Sequence, residues 1–221
     1  MLPIRDYNPT RRRSLLTWGL ILINFGVYFY LAQNPVMDEN AIARYAVTPA
    51  DITAGRHLGT LITSMFLHAN LLHVAGNMLF LWIFGNNVED KLGELKFLIV
   101  YFASGIGGSL LQIVITPDST VPMLGASGAI SGLLAAYVLY FPRARILTFV
   151  VPFFIFTLPA FLFIGYWIGL QALNAFLNIG AIGGGVAFFA HVGGFGTGLI
   201  LALLLRPREH PDPHPGYGGY P

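Results

Sequence analysis

Three short stretches carry side chains whose types and spacing could do chemistry. "GASG" (125–128) holds Ser127, "AHVGG" (190–194) holds His191, and "HVAGN" (73–77) holds His73 and Asn77. A serine hydroxyl is a weak nucleophile until a base takes its proton. Neutral imidazole suits that task, because it titrates near working pH. Acyl transfer by such a pair also needs donors aimed at the developing oxyanion. His73 and Asn77 are four residues apart, so on a helix they share a face. Ser127 opens an apolar run, where the free N–H groups and positive dipole end of a helix favour negative charge.

Other chemistries fit less well. H-E-x-x-H is absent, so a zinc protease of that type is not indicated, and neither a metal nor a cofactor is expected. No pair of intramembrane aspartates is present to supply an aspartyl mechanism. Ala129 stands where the second glycine of G-x-S-x-G would fall, which removes the α/β-hydrolase elbow. Singly, each polar residue has a plainer reading. Ser127 could bond its own backbone, His191 could cap an interfacial helix end, and Asn77 could hold two helices together. His68 reads as a tie between a loop and the bundle, Asp118 as a solvated residue of "TPDST" rather than a triad acid, and Ser131 as a packing residue.

What the single readings leave unexplained is depth, and depth is set by the elements. The chain has 221 residues, of which 55% are hydrophobic and only 10% charged. A soluble domain carries about 25% charged residues, so an integral membrane protein is expected. A net charge of +2 gives no nucleic-acid surface, and without cysteine there is no disulfide or thiolate chemistry. Six apolar segments are long enough to be spans: 15–33, 69–86, 96–115, 124–141, 146–170 and 187–205. "RRR" at 11–13 precedes the first, and no small-residue cleavage site follows it, so that span reads as a retained anchor. Within the 34–68 loop, "HLGTLITSMFLH" is apolar enough for a short interfacial helix. The glycine-rich 174–186 segment reads as a mobile cap.

Of the twelve lysines and arginines, only Arg44 and Arg56 fall on the side opposite the termini. By the positive-inside rule both termini are assigned to the cytoplasm, in a multi-pass protein of the cell membrane. Residues 1–14 form a cytoplasmic segment, 15–205 the membrane domain, and 206–221 a disordered cytoplasmic tail. His73, Asn77, Ser127 and His191 then share one depth near the outer leaflet, drawn from three separate spans. Gly128 and Gly132 in span four, with Gly194 and Gly198 in span six, form two G-x-x-x-G patterns that let helix backbones close together.

In these residues the chain resembles the rhomboid family of intramembrane serine proteases, over roughly 60–205. The likeness rests on His73-x-x-x-Asn77, on G-A-S-G around Ser127, on A-H-V-G-G with its G-x-x-x-G, and on "GNNVEDKLG" (85–93) with Glu89 in a structural position. The resemblance implies an all-α bundle of six transmembrane helices around a water-filled cavity. It implies a Ser127–His191 dyad, and an oxyanion hole made by His73, Asn77 and the Ser127 backbone N–H. It also implies substrates that are single-span proteins of the lipid bilayer, cut in or near the span. Two departures stand out. Many members place an aromatic residue four after the nucleophile, beneath the histidine, where this chain has Ser131. Many carry Trp-Arg in the first loop, where this chain has Gly59-Thr60. The alternative reading is an inactive rhomboid-like protein that binds client spans. A transporter is disfavoured, because neither buried charge nor inverted repeats are present.

Overall fold

The computed structural model describes residues 1–150, 154–179 and 186–205. Strand β1 (Leu2–Asp6) leads into α1 (Leu15–Leu31), and three short helices follow in the loop: α2 (Pro35–Tyr45), α3 (Pro49–Thr53) and α4 (Thr60–Thr63). A 3₁₀ turn, Ser64–Phe66, continues α4, so the apolar stretch expected as an interfacial helix is two short helical turns. α5 (Leu71–Phe80) passes through a π-helical turn, Leu81–Gly85, into α6 (Asn86–Leu92). Gly93, at φ 81°, takes up the left-handed conformation that glycine tolerates and turns the chain into α7 (Glu94–Ile115). α8 (Ser127–Tyr140), β2 (Arg145–Val150), β3 (Phe154–Pro159), α9 (Ala160–Leu177) and α10 (Phe188–Leu204) complete the described chain.

By length and composition, three helical segments are fit to cross a membrane: Leu71–Leu92, Glu94–Ile115 and Ala160–Leu177. Leu15–Leu31, Ser127–Tyr140 and Phe188–Leu204 are apolar but shorter. The all-α expectation needs correcting. β1, β2 and β3 form an antiparallel sheet in that order, with Leu2 opposite Phe149 and Val150 opposite Phe154. The span expected at 146–170 is therefore two strands followed by a helix that begins at Ala160. "RILTFV" and "FIFTLP" are rich in β-branched and aromatic residues, and hydropathy alone does not tell a short apolar strand from a buried helix. Of the expected 174–186 cap, the first residues are the end of α9, and 180–185 lie outside the described residues, as does the 206–221 tail.

α8 is the axis of the bundle. Every residue from Gly128 to Tyr137 is buried, so the helix is apolar on all sides because it has neighbours on all sides. α7 and α10 lie against it where side chains are missing. A Cβ built on Gly194 would collide with the Gly128 backbone, and one on Gly198 with the Gly132 backbone. At the opposite end of α8 the Tyr137 hydroxyl donates to Asp6 Oδ2 (2.9 Å), and Asn87 Nδ2 donates to the same oxygen (2.7 Å), tying the sheet to the helices.

Glu89, 4% exposed, caps α1 from α6. Its carboxylate accepts the Leu16 N–H (3.0 Å), the Thr17 N–H (2.8 Å) and the Thr17 hydroxyl (2.7 Å). These are first-turn donors that α1 itself cannot satisfy, met by a charge that the helix dipole favours. Glu89→Ala is expected to destabilise the protein by roughly 3 kcal/mol, since hydrogen bonds to charged groups are worth about 1.5–3 kcal/mol each and do not add fully. Thermal unfolding in detergent measures this; an unchanged midpoint would show that the cap contributes nothing.

Candidate active site

Ser127 is the first residue of α8, and what precedes it is pinned on two sides. Met123 exchanges both backbone hydrogen bonds with Val47 (2.9 and 2.7 Å), and the Gly125 N–H donates to the Ser64 carbonyl (2.9 Å). The first loop thus holds the turn that presents the serine. Gly125 sits at φ 119°, in the left-handed region that favours glycine. A Cβ there would also fall 2.8 Å from His73 Nε2 and 3.6 Å from Asn77 Nδ2. Both side chains therefore reach the backbone two residues before Ser127.

His191, 8% exposed, comes from the first turn of α10. Its Nε2 lies 2.8 Å from Ser127 Oγ, and its Nδ1 lies 2.8 Å from Gln171 Oε1. With Nε2 as acceptor, the Ser127 hydroxyl donates to it, and Nδ1–H donates to Gln171. The Trp167 ring packs on the imidazole, with centroids 5.7 Å apart and planes 37° apart. The aromatic support that a residue four after the serine would give comes instead from another helix. Ser131, buried, spends its hydroxyl on the Ser127 carbonyl of its own helix (2.7 Å).

Asn70 caps α5 by accepting the His73 N–H (2.9 Å), which sets His73 in the first turn and Asn77 one turn later. The Ala69 N–H points at His73 Nδ1 over a long 3.5 Å, which leaves Nε2, the nitrogen facing Gly125, to carry the ring proton. Asn77 Nδ2 is buried without a hydrogen-bond partner. A buried donor left open costs free energy unless something accepts from it. The His68 ring nitrogens are also without partners, so the loop-tying bond expected of His68 does not form. Its ring instead stands edge-on to His73, at 5.0 Å. Burial, with the neighbouring His73, holds the His68 imidazole down at about 3, so it stays neutral. Asp118 is exposed in the turn between α7 and α8.

A cavity of ≈30 Å³ adjoins Ser127 and is lined also by Ser64, Ser109, Gly125 and Ala190. That is room for about one water, with hydroxyls to hold it. A larger cavity, ≈1280 Å³, lies at the far end of the bundle, around Asp90, Lys91, Arg143 and Arg145. Its size does not make it the reactive site, because no nucleophile–base pair lines it.

The family model described as "Rhomboid domain" matches residues 55–208. "Rhomboid protein 1, mitochondrial" of Saccharomyces cerevisiae is 34% identical over 210 residues, covering 92% of this chain and 57% of that protein. The human "Presenilin-associated rhomboid-like protein, mitochondrial" is 31% identical over 200 residues, covering 86% of this chain and 50% of the relative. "Rhomboid-like protein 11, chloroplastic" of Arabidopsis thaliana is 34% identical over 131 residues, covering 59% and 44%. The chain spans about half the length of the curated relatives it matches. These names overturn the expected placement in the cytoplasmic cell membrane, since the relatives are mitochondrial or chloroplastic. The physical reason is plain: asymmetry of basic residues orients a bundle across a bilayer and carries no address for which bilayer.

Proposed function

The chain belongs to the rhomboid family, and from that premise we propose that it is an intramembrane serine endopeptidase working by a Ser127–His191 dyad. Rhomboids are a membrane protease family, and the observation that carries the reading to this member is the 2.8 Å approach of Ser127 Oγ to His191 Nε2. The six apolar helices are read as six spans in an organellar membrane, the location that the relatives suggest. The 14 residues of α8 rise about 21 Å, against about 30 Å of hydrocarbon. With its C-terminal end at one interface, Ser127 lies well below the other, at the depth of a substrate's own span.

His191 Nε2 takes the hydroxyl proton as Oγ adds to the scissile carbonyl, and the carbonyl oxygen becomes an oxyanion. Its donors would be the Ser127 N–H, Asn77 Nδ2 and His73 Nε2. The imidazolium then gives its proton to the leaving amine, and the amine departs. Water then adds to the acyl ester as Nε2 takes one of its protons, and Nε2 gives that proton to Ser127 Oγ as the ester bond breaks, which frees the new carboxyl group and restores the serine hydroxyl. A helix hides its carbonyls in its own hydrogen bonds, so single-span proteins with weak helix formers near the cut are the substrates this site would accept.

The test uses the full chain in liposomes with a single-span substrate carrying a glycine-rich segment. Cleavage together with fluorophosphonate labelling at Ser127 is expected. A folded protein that binds such spans, yet neither labels nor cuts between pH 5 and 9, would overturn the reading in favour of an inactive client-binding member.

The open Asn77 donor allows a narrower test. Asn77→Ala is expected to lower kcat about tenfold to a hundredfold and leave KM nearly unchanged, because the bond would strengthen only as charge develops. A single oxyanion donor is worth about 10²–10³ in a soluble protease, and the other two donors offset part of its loss. Stability should hardly move, since Asn77 Nδ2 makes no hydrogen bond to lose. A lowered melting temperature with unchanged kcat would instead make Asn77 a bracing residue.

A further inference from the structure

We propose that Gln171, on α9, is a positioning residue that holds His191 in the one tautomer able to accept the Ser127 proton. The inference rests on the dyad reading above and adds a third group to it. Imidazole has two neutral tautomers, and only the one protonated at Nδ1 leaves a lone pair on Nε2 for the serine. Gln171 Oε1 stands 2.8 Å from Nδ1, where it accepts that proton's hydrogen bond. In the other tautomer two lone pairs would face each other across this distance, and Nε2–H would point uselessly at Oγ.

Gln171 has no other evident reason to sit on this helix. α9 is apolar and turns Leu170, Leu173, Phe176 and Leu177 outward. An amide on such a helix is costly unless it finds a partner. Trp167 lies four residues earlier on the same face and covers the imidazole. Together the two residues fix the ring's plane and its proton. Of the groups around the ring, Ser127 comes from α8, Gln171 and Trp167 from α9, and His73 on α5 is the other titratable group that acts on it. No carboxylate among the described residues contacts the ring, so the neutral amide takes the orienting place that an aspartate holds in a Ser-His-Asp triad.

An amide can turn either end toward a ring nitrogen, so the test must read the proton itself. Protein labelled with ¹⁵N-histidine in detergent reports it by nitrogen shift, with the His191 signal assigned by its loss in His191→Ala. In the parent, Nδ1 should be protonated and Nε2 not. Gln171→Leu should yield a mixture of tautomers and lower kcat about tenfold to a hundredfold, with KM unchanged. A wrong tautomer costs about 10⁴ in a soluble triad; the loss is smaller here because a released imidazole still visits the productive form. Gln171→Glu, which can only accept, should restore the tautomer and kcat at alkaline pH, and move the acid limb of kcat/KM upward as the carboxylate favours the imidazolium. A proton on Nε2 in the parent, an unchanged tautomer in Gln171→Leu, or full kcat despite a changed tautomer would each overturn the proposal. An inert parent whose tautomer still responds to Gln171→Leu would uphold the positioning and sink the dyad.

Discussion

Ser127→Ala and His191→Ala are each expected to bring substrate cleavage to the background rate while leaving the bundle folded. In the soluble serine protease subtilisin, removing the nucleophile or the base alone costs about 10⁶ in kcat, nearly as much as removing the whole triad. The same logic holds for two atoms 2.8 Å apart whose roles depend on each other. Without Oγ there is nothing to acylate; without Nε2 the hydroxyl keeps its proton. The double variant should therefore be no worse than either single one. Fluorophosphonate labelling should vanish in Ser127→Ala and drop steeply in His191→Ala. Ser131 does not rescue the first, because its hydroxyl is committed to the Ser127 carbonyl and fully buried. Ser127→Ala removes one hydroxyl and should cost little stability; His191→Ala also gives up a buried ring that packs on Trp167 and bonds Gln171, so its melting temperature should fall while the bundle stays folded. Measured on purified protein in liposomes, retained cleavage by either variant would remove the dyad.

The sequence made some of this legible and concealed the rest for identifiable reasons. Ser127, His191, His73 and Asn77 stood out because polar side chains at one depth of a bilayer are expensive and call for a purpose. The glycine pairs stood out because their spacing is that of a helix face. Gln171 was concealed by an error of boundary. Reading 146–170 as one span put the strands into the membrane and ended the helix one residue short of Gln171, which then fell in the short interval between that span and the 174–186 cap. With α9 at Ala160–Leu177 the same amide lies inside an apolar helix, where it demands a partner. Trp167 carried no signal in either frame, since aromatic residues are ordinary in apolar helices. Strands β2 and β3 were concealed because they share the hydropathy of the spans beside them, and β1 because five mixed residues are too few to show a period. The location was never legible, because hydropathy and charge describe a bilayer in general.

Gly198→Ala is expected to damage both stability and cleavage, more than its single added methyl suggests. The new Cβ would meet the Cα, carbonyl carbon and oxygen of Gly132, which are backbone atoms of the buried central helix and have no rotamer to escape into. Side chains give way cheaply; here α10 as a whole must back off from α8. Overpacking a filled core costs about 1–3 kcal/mol, and a clash with backbone on both sides belongs at the upper end or beyond. The displaced helix carries His191 two turns away, on the face that meets α8. A 1 Å error in a reacting pair costs about a hundredfold in rate, so kcat should fall even in the fraction that remains folded. Gly196→Ala is the matched control: it lies on the same helix, and a Cβ there meets nothing within 4 Å. On that open face alanine should be neutral, or stabilising by up to about 1 kcal/mol through its better helix propensity. Thermal unfolding and cleavage measured on both variants separate the seam from the helix. Equal effects at 196 and 198 would mean that helix propensity or insertion governs the loss, and that the close contact between α8 and α10 does not set the distance from Ser127 to His191.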